Sequence, residues 1–230
     1  MLFSSGLFLF LFAAFAFFYG FMRRTPALRI WYVIAFSLYF YYKSSGIYLL
    51  LLVGVSVSDF WIGRAIAHVG SRRAQRALVA LSIAADLAVL GYFKYTNFFI
   101  EIARDLFGAG FLEFQNIFLP VGISFFLFQS LSYTIDIYRG SLKPVDRWGD
   151  YLFYLSFFPQ LVAGPIVRAR DFLVQIRQNP IAVSREMFGT GIYLITIGLF
   201  KKAVISDYIS LNFVDRIFDD PALYSGMECL

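Results

Sequence analysis

Few side chains in this sequence can do chemistry, and most of them sit inside apolar runs. Asp86 is the one acid within the stretch from Ala77 to Phe93. A charge at the centre of a bilayer costs at least about 2.5 kcal/mol, so such a group marks either a functional site or a nearby partner. Lys94 stands two helical turns further on the same face, which leaves two readings open: a pairing of Asp86 with Lys94 or a neighbouring hydroxyl, or a carboxyl that handles protons or substrate. Gln129, Ser132, Tyr133 and Asp136 recur at helical spacing and put a polar stripe on a helix too apolar to need one. That stripe suits a ligand and helix packing equally well. Gln160 is a lone amide between Pro159 and Pro165, where an unpaired polar group is costly, so it is expected to have a partner. His68, the single histidine, has Arg64 and Arg72 one turn to either side and reads as an interfacial residue of a basic face, not a catalyst. With one cysteine, Cys229, there is no internal disulfide, and a His/Cys zinc site lacks ligands. No Ser/His/Asp set, paired carboxylates or phosphate loop is legible, so the residues supply no catalytic group and no metal site of their own.

The elements that must position these groups are membrane helices. A helix of about 20 residues spans the hydrocarbon core, and Leu2 to Phe21 carries no charge. Arg23, Arg24 and Arg29 follow that run instead of preceding it, unlike a cleaved signal, and place it with its far end in the cytoplasm. Ile30 to Tyr42 and Ser44 to Ser58 predict two short helices around a tight outer turn, and Arg64, Arg72, Arg73 and Arg76 bring the chain back to the cytoplasm. A fourth helix follows from Ala77 to Phe93, with an external loop at Glu101 to Glu113. Phe114 to Ile135 contains Pro120, where its helix should begin or bend. Tyr151 to Val167 has basic residues on both flanks and Pro159, Gly164 and Pro165 within it, which predicts a re-entrant segment; such irregular backbone is tolerated at membrane depth only where protein or water satisfies it. Met187 to Phe200 is a further helix of ambiguous direction between Arg185 and Lys201.

Composition agrees. Hydrophobic residues make up 60% and charged residues 15%, too little polar surface to coat a soluble globule, and the aromatic share of 20% suits lipid-facing and interfacial positions. The net charge of +5 is that of cytoplasmic loops; no basic run points to nucleic acid. The expected fold is an all-α, multi-pass transmembrane helical bundle with a re-entrant segment, one membrane domain over residues 1–230. No internal repeat of the transporter kind is visible.

Two segments resemble a known family. Leu119-Pro120-Val121-Gly122-Ile123-Ser124-Phe125 through Gln129-Ser130-Leu131-Ser132-Tyr133 to Asp136-Ile137-Tyr138-Arg139-Gly140, and Phe157-Phe158-Pro159-Gln160-Leu161 to Gly164-Pro165-Ile166-Val167-Arg168, are similar to motifs of the membrane-bound O-acyltransferases of the alginate O-acetylation type. Phe3-Ser4-Ser5 and Gly91-Tyr92-Phe93-Lys94-Tyr95-Thr96-Asn97 look like family patterns in the same order. The resemblance covers the whole chain but the first half of a family member, and the ending at Glu228-Cys229-Leu230 looks like a truncation.

The resemblance implies an O-acetyltransferase of the bacterial inner membrane that passes acetyl groups outward to an exported polysaccharide such as alginate. It implies acetyl-CoA as donor, no bound cofactor, and periplasmic acetyltransferase proteins as partners in the lipid bilayer. Substrate passage would involve Gln129, Ser132, Tyr133, Asp136, Arg139, Gln160 and Arg168. The family's catalytic histidine lies in a tryptophan-histidine motif that this sequence does not contain, and His68 does not match it, so the chain alone is expected to be inactive. A D-alanyl or other acyl transferase for cell-wall polymers, a transporter, and a non-catalytic scaffold are the alternatives.

Overall fold

A chain with this little polar surface satisfies its backbone internally by forming helices. The computed structural model describes residues 6–22, 25–107, 113–164, 167–178, 183–220, 223 and 226, and among these it holds helices and no strand. Arg23, the Phe3-Ser4-Ser5 opening, Pro165, Ile166 and Cys229 lie outside the described residues. Helix α1 covers Gly6–Met22, α2 Pro26–Ser45 and α3 Leu49–His68. Helix α4 covers Arg72–Leu90 and runs through a π-helical turn at Gly91–Tyr95 into α5, Thr96–Phe107. Then follow α6 Ile123–Tyr138, α7 Trp148–Ser156, α8 Phe158–Ala163, α9 Ala169–Ile176 and α10 Arg185–Phe200, whose helical course extends to Asp219. Three helical runs, Pro26–His68, Arg72–Phe107 and Arg185–Asp219, are long and apolar enough to cross a membrane by length and composition, and Gly6–Met22 is a shorter apolar helix. The chain is an all-α membrane protein.

The chain divides into two compact units, Phe15–Asn179 and a second made of Met1–Ala14 with Pro180–Leu230. In the second, α10 has no buried residue, and Phe188, Tyr193 and Leu194 are each more than 60% exposed, as hydrocarbon-facing side chains would be. In the first, α3 packs on α2, α4, α6 and α7, and α7 also packs on α2 and α9. Two apolar clusters form its core: one around Ile30, Tyr133, Tyr151 and Tyr154, the other around Tyr41, Leu52, Phe126 and Leu161.

Local rules explain the breaks. Pro26 opens α2 in its first turn, where the missing N–H is not needed. Gly46, at φ 59, ends it. Helix α6 starts after Pro120, as expected, with Gly122 in the left-handed conformation at φ 73. An alanine Cβ at Gly122 would stand 2.2 Å from the carbonyl oxygen of Leu161, so this glycine lets α8 close onto the start of α6 and joins the two motif segments. Between α7 and α8 the chain turns at Phe157, because Pro159 cannot make the bond to Leu155 that a continuous helix requires. Gly140, at φ 76, closes α6 with its N–H on the Ile137 carbonyl, while Ser141 bonds back to Asp136 at 3.0 Å.

Two expected boundaries move. Helix α3 does not stop at Ser58 but carries Asp59, Arg64 and His68 as helical residues. A charge ends an apolar run without ending a helix when it finds a partner within the bundle. The loop expected from Glu101 is helical to Phe107, and Asn97 of α5 exchanges bonds of 2.8 and 2.9 Å with the backbone of Gln115, tying the following segment to it.

Candidate functional site

Six of the polar side chains in the Phe15–Asn179 unit meet where α3, α4, α6 and α7 face one another. Asp59 is 1% exposed. Its Oδ1 accepts from the Ser82 hydroxyl at 2.8 Å and its Oδ2 from the Ser130 hydroxyl at 2.5 Å. The Ser130 oxygen lies 2.7 Å from the Tyr151 hydroxyl, and Ser82 reaches Thr134 at 3.3 Å. Asp86, one turn beyond Ser82 on α4, brings its carboxyl against that of Asp59, and its Oδ2 is buried without a hydrogen-bond partner among the described residues. Each helix therefore contributes a side chain to one knot: Asp59 from α3, Ser82 and Asp86 from α4, Ser130 and Thr134 from α6, Tyr151 from α7. A hydrogen bond to a charged group contributes about 1.5–3 kcal/mol, so this knot fixes the register of four helices and can hold a carboxyl pair inside an apolar bundle.

The pair corrects two expectations. Asp86 does not reach Lys94, whose ammonium lies 5.5 Å from the Tyr95 ring centroid. The intervening π-helical turn at Gly91–Tyr95 departs from α-helical spacing and leaves Lys94 exposed, off the Asp86 face. Paired carboxylates do exist, although 27 residues separate Asp59 from Asp86 and no local motif could show them. Asp59 stands just past an uncharged run, where it marks a boundary and no site. The available signal was the spacing of Ser56, Asp59 and Gly63, small or polar positions on one face of α3. Ser56 accepts from the Trp148 indole N–H at 3.2 Å, and at Gly63 a Cβ would come within 2.8 Å of the Tyr133 ring, so this face is where α3 meets α6 and α7 closely.

Of the stripe on α6, Gln129, Tyr133 and Asp136 are buried and Ser132 is half-buried. The Tyr133 hydroxyl accepts from the Val145 N–H at 3.1 Å, Ser132 donates back to the Gln129 carbonyl at 2.9 Å, and Asp136 keeps one buried oxygen unpartnered among the described residues. Arg139 is exposed at the end of α6. Gln160 is 6% exposed, but its amide nitrogen has no partner among the described residues. The expected partner is not needed to close the turn, because backbone bonds do that: Gln160 N–H to Phe157 and Gly164 N–H to Gln160, each 3.0 Å. Arg168 is exposed and caps α9 through its backbone, its carbonyl accepting from Asp171 and Phe172. His68, at the end of α3, places its Nδ1 2.7 Å from the Arg64 carbonyl and is exposed.

The basic end of the bundle is held by arginines. Arg64 donates to the Asp146 carbonyl at 3.1 Å, and Arg72 and Arg76 donate to Tyr138, so α3 and α4 fix the loop after α6. Arg177 grips Asp150 with two bonds of 2.6 and 2.7 Å, fixing α9 to the first turn of α7. Among the described residues no cluster of three or more His, Cys, Asp or Glu could hold a metal.

No protein-family model and no solved structure matches the chain. Individual proteins do. The "Probable alginate O-acetylase AlgI" of Pseudomonas aeruginosa is 35% identical over 216 residues, covering 91% of this chain and 41% of its own length. The peptidoglycan O-acetyltransferase of Helicobacter pylori is 31% identical, with 99% of this chain and 48% of the relative covered. The teichoic acid D-alanyltransferase of Bacillus subtilis is 30% identical over 98 residues, 41% of this chain and 24% of the relative. The chain thus spans less than half the length of the curated relatives it matches. The motif segments around α6 and α8, folded together at Gly122, and the similarity across nine-tenths of the sequence agree: this chain belongs to the membrane-bound O-acyltransferase family, of the alginate O-acetylase type.

Proposed function

We propose that the chain forms part of an O-acetyltransferase that passes acetyl groups across the bacterial inner membrane for O-acetylation of an exported polysaccharide such as alginate. The similarity over nine-tenths of the chain to relatives named for alginate O-acetylation carries this reading. Acetyl-CoA is the donor on the cytoplasmic side, where the positive-inside rule puts the arginine-rich loops, and periplasmic acetyltransferases complete the transfer. Two buried polar atoms without partners among the described residues, the Gln160 amide nitrogen and one Asp136 oxygen, are available to a substrate moving past α6 and α8. With Gln129, Ser132 and Tyr133 they make up the passage, and Arg139 and Arg168 stand at its cytoplasmic mouth. The group that takes the acceptor's proton is a histidine supplied from outside these residues, so the 230 residues alone are inactive.

Labelled acetyl-CoA, supplied outside inverted vesicles that carry the complete gene product and its periplasmic partners, tests this. Acetyl ester on the polysaccharide is the expected product. Solute flux without ester formation would make the protein a transporter. D-alanyl transfer is the second reading, favoured by the similarity to the D-alanyltransferase; labelled D-alanine appearing on an acceptor in place of acetate would establish it.

A further inference from the structure

A groove of about 400 Å³ opens between the loop after α6 and helix α9. Its walls are apolar, with Leu142, Val145, Leu173 and Val174, and its charged lining is Lys143, Asp146, Arg147, Asp150 and Arg177. The base of the groove is built. Arg177 is locked to Asp150 in the two-bond pair, and Arg29, 5% exposed, donates to the carbonyls of Ile176 and Gln178 at 2.9 Å each, fixing the same end of α9. The rim differs. The Lys143 and Arg147 side chains are exposed, and neither side chain forms a hydrogen bond or ion pair among the described residues; the Arg147 carbonyl accepts from the Asp150 N–H at 3.1 Å. Asp150 is already paired with Arg177, so the unpaired charges lining the groove are two cations and the single carboxylate of Asp146.

The volume falls within the range of about 300–1,000 Å³ that small-molecule sites occupy. Free cations above an apolar wall suit a ligand that joins phosphates to a less polar stem, and a guanidinium meets two phosphate oxygens at once. Positive-inside anchoring would need the charge alone, without a walled groove or a fixed base. We propose that this groove receives the phosphate groups of a CoA-type acyl donor, with Lys143 and Arg147 as its anion contacts. The assignment rests on the acetyl-transfer reading above and adds where the donor's head is held. A phospholipid headgroup shares the phosphate chemistry, but it carries its apolar part as long acyl chains that the bilayer accommodates, not as a short stem beside the charges.

The test is binding of radiolabelled CoA to the purified complete gene product in nanodiscs of phosphatidylcholine, and again with phosphatidylglycerol added. Lys143→Ala/Arg147→Ala is expected to weaken CoA binding about tenfold or more. Arg170→Ala, which removes an exposed guanidinium of α9 paired with Asp171 at 3.4 Å and outside the groove, is expected to stay within twofold of the unaltered protein, an order-of-magnitude expectation for a surface pair. CoA affinity unchanged in the double variant overturns the assignment. So does binding of phosphatidylglycerol, sensitive to the same two residues, by a protein that binds no CoA. The two readings fail separately. CoA bound through Lys143 and Arg147 by a protein that transfers no acetyl group keeps the groove and removes acetyl transfer. Acetyl transfer with an unaltered KM for acetyl-CoA in the double variant does the reverse.

Discussion

Replacing Gly122 by alanine should loosen the junction between the two motif segments. The residue has φ 73, and the left-handed conformation costs an alanine about 1–2 kcal/mol. The added Cβ would lie 2.2 Å from the Leu161 oxygen and 3.3 Å from its carbon. Ordinary contact begins at 3.4 Å, so α8 would have to withdraw by about 1.2 Å. Leu161 is 1% exposed and packs with Phe126 and Leu155 in one core cluster, where overpacking costs about 1–3 kcal/mol. Together these come to about 2–5 kcal/mol, or a loss of roughly 4–20 °C in Tm for a protein of this size. Gly140→Ala separates the two contributions, since Gly140 has φ 76 and nothing within 4 Å of its Cβ position; its loss should be the conformational share of about 1–2 kcal/mol. Thermal unfolding of both variants in the same detergent provides the comparison. Equal melting temperatures for the two would refute the close approach of α8 to Gly122.

Four further outcomes follow from named contacts. Ser130→Ala removes one donor from Asp59 and the partner of the Tyr151 hydroxyl, so it should lower stability by about 2–4 kcal/mol; a Tm within 2 °C of the unaltered protein, roughly the resolution of a melt, would show the knot to be energetically idle. Gln160→Leu removes a buried donor that has no partner among the described residues, so folded yield should hold or rise while acetyl transfer falls; reduced folded yield with unaltered specific activity would mean the amide is structural. His68→Ala should leave acyl transfer in the complete gene product largely intact, and a fall of 100-fold in kcat, about 2.7 kcal/mol of barrier, would make this exposed histidine a catalyst. Cysteines placed at positions 147 and 170 should react with the same side of the membrane; opposite sides would mean that the α7–α8 segment crosses.

What was legible in the sequence depended on how local its cause is. Pro120 and Gly122 set the start of α6, and Pro159 forbids one straight helix from Tyr151 to Val167, because a proline or a left-handed glycine acts within a few residues. Apolar run lengths located α2, α4 and α10 but ended α3 early and gave a loop from Glu101 where α5 continues to Phe107. A first charge ends an apolar run at both places, and a charge in a helix is tolerated wherever the tertiary structure answers it. Asp59 shows how far away the answer can lie. Its two oxygens are satisfied by hydroxyls 23 and 71 residues away, on helices that the sequence could delimit but not pair. For Asp86 the sequence offers Lys94 or a neighbouring hydroxyl as a partner, or a role with protons or substrate, yet its neighbour is another acid on another helix. Periodicity orders side chains along one helix; only packing decides which faces meet. The polar residues with the strongest mutual geometry here, Asp59, Ser82, Ser130 and Tyr151, come from four helices, so no window of sequence contained their constellation. Gln160 shows the converse: its burial is legible from the two prolines on either side of it, while its amide nitrogen's lack of a partner among the described residues follows from the backbone of α8, which closes its own turn.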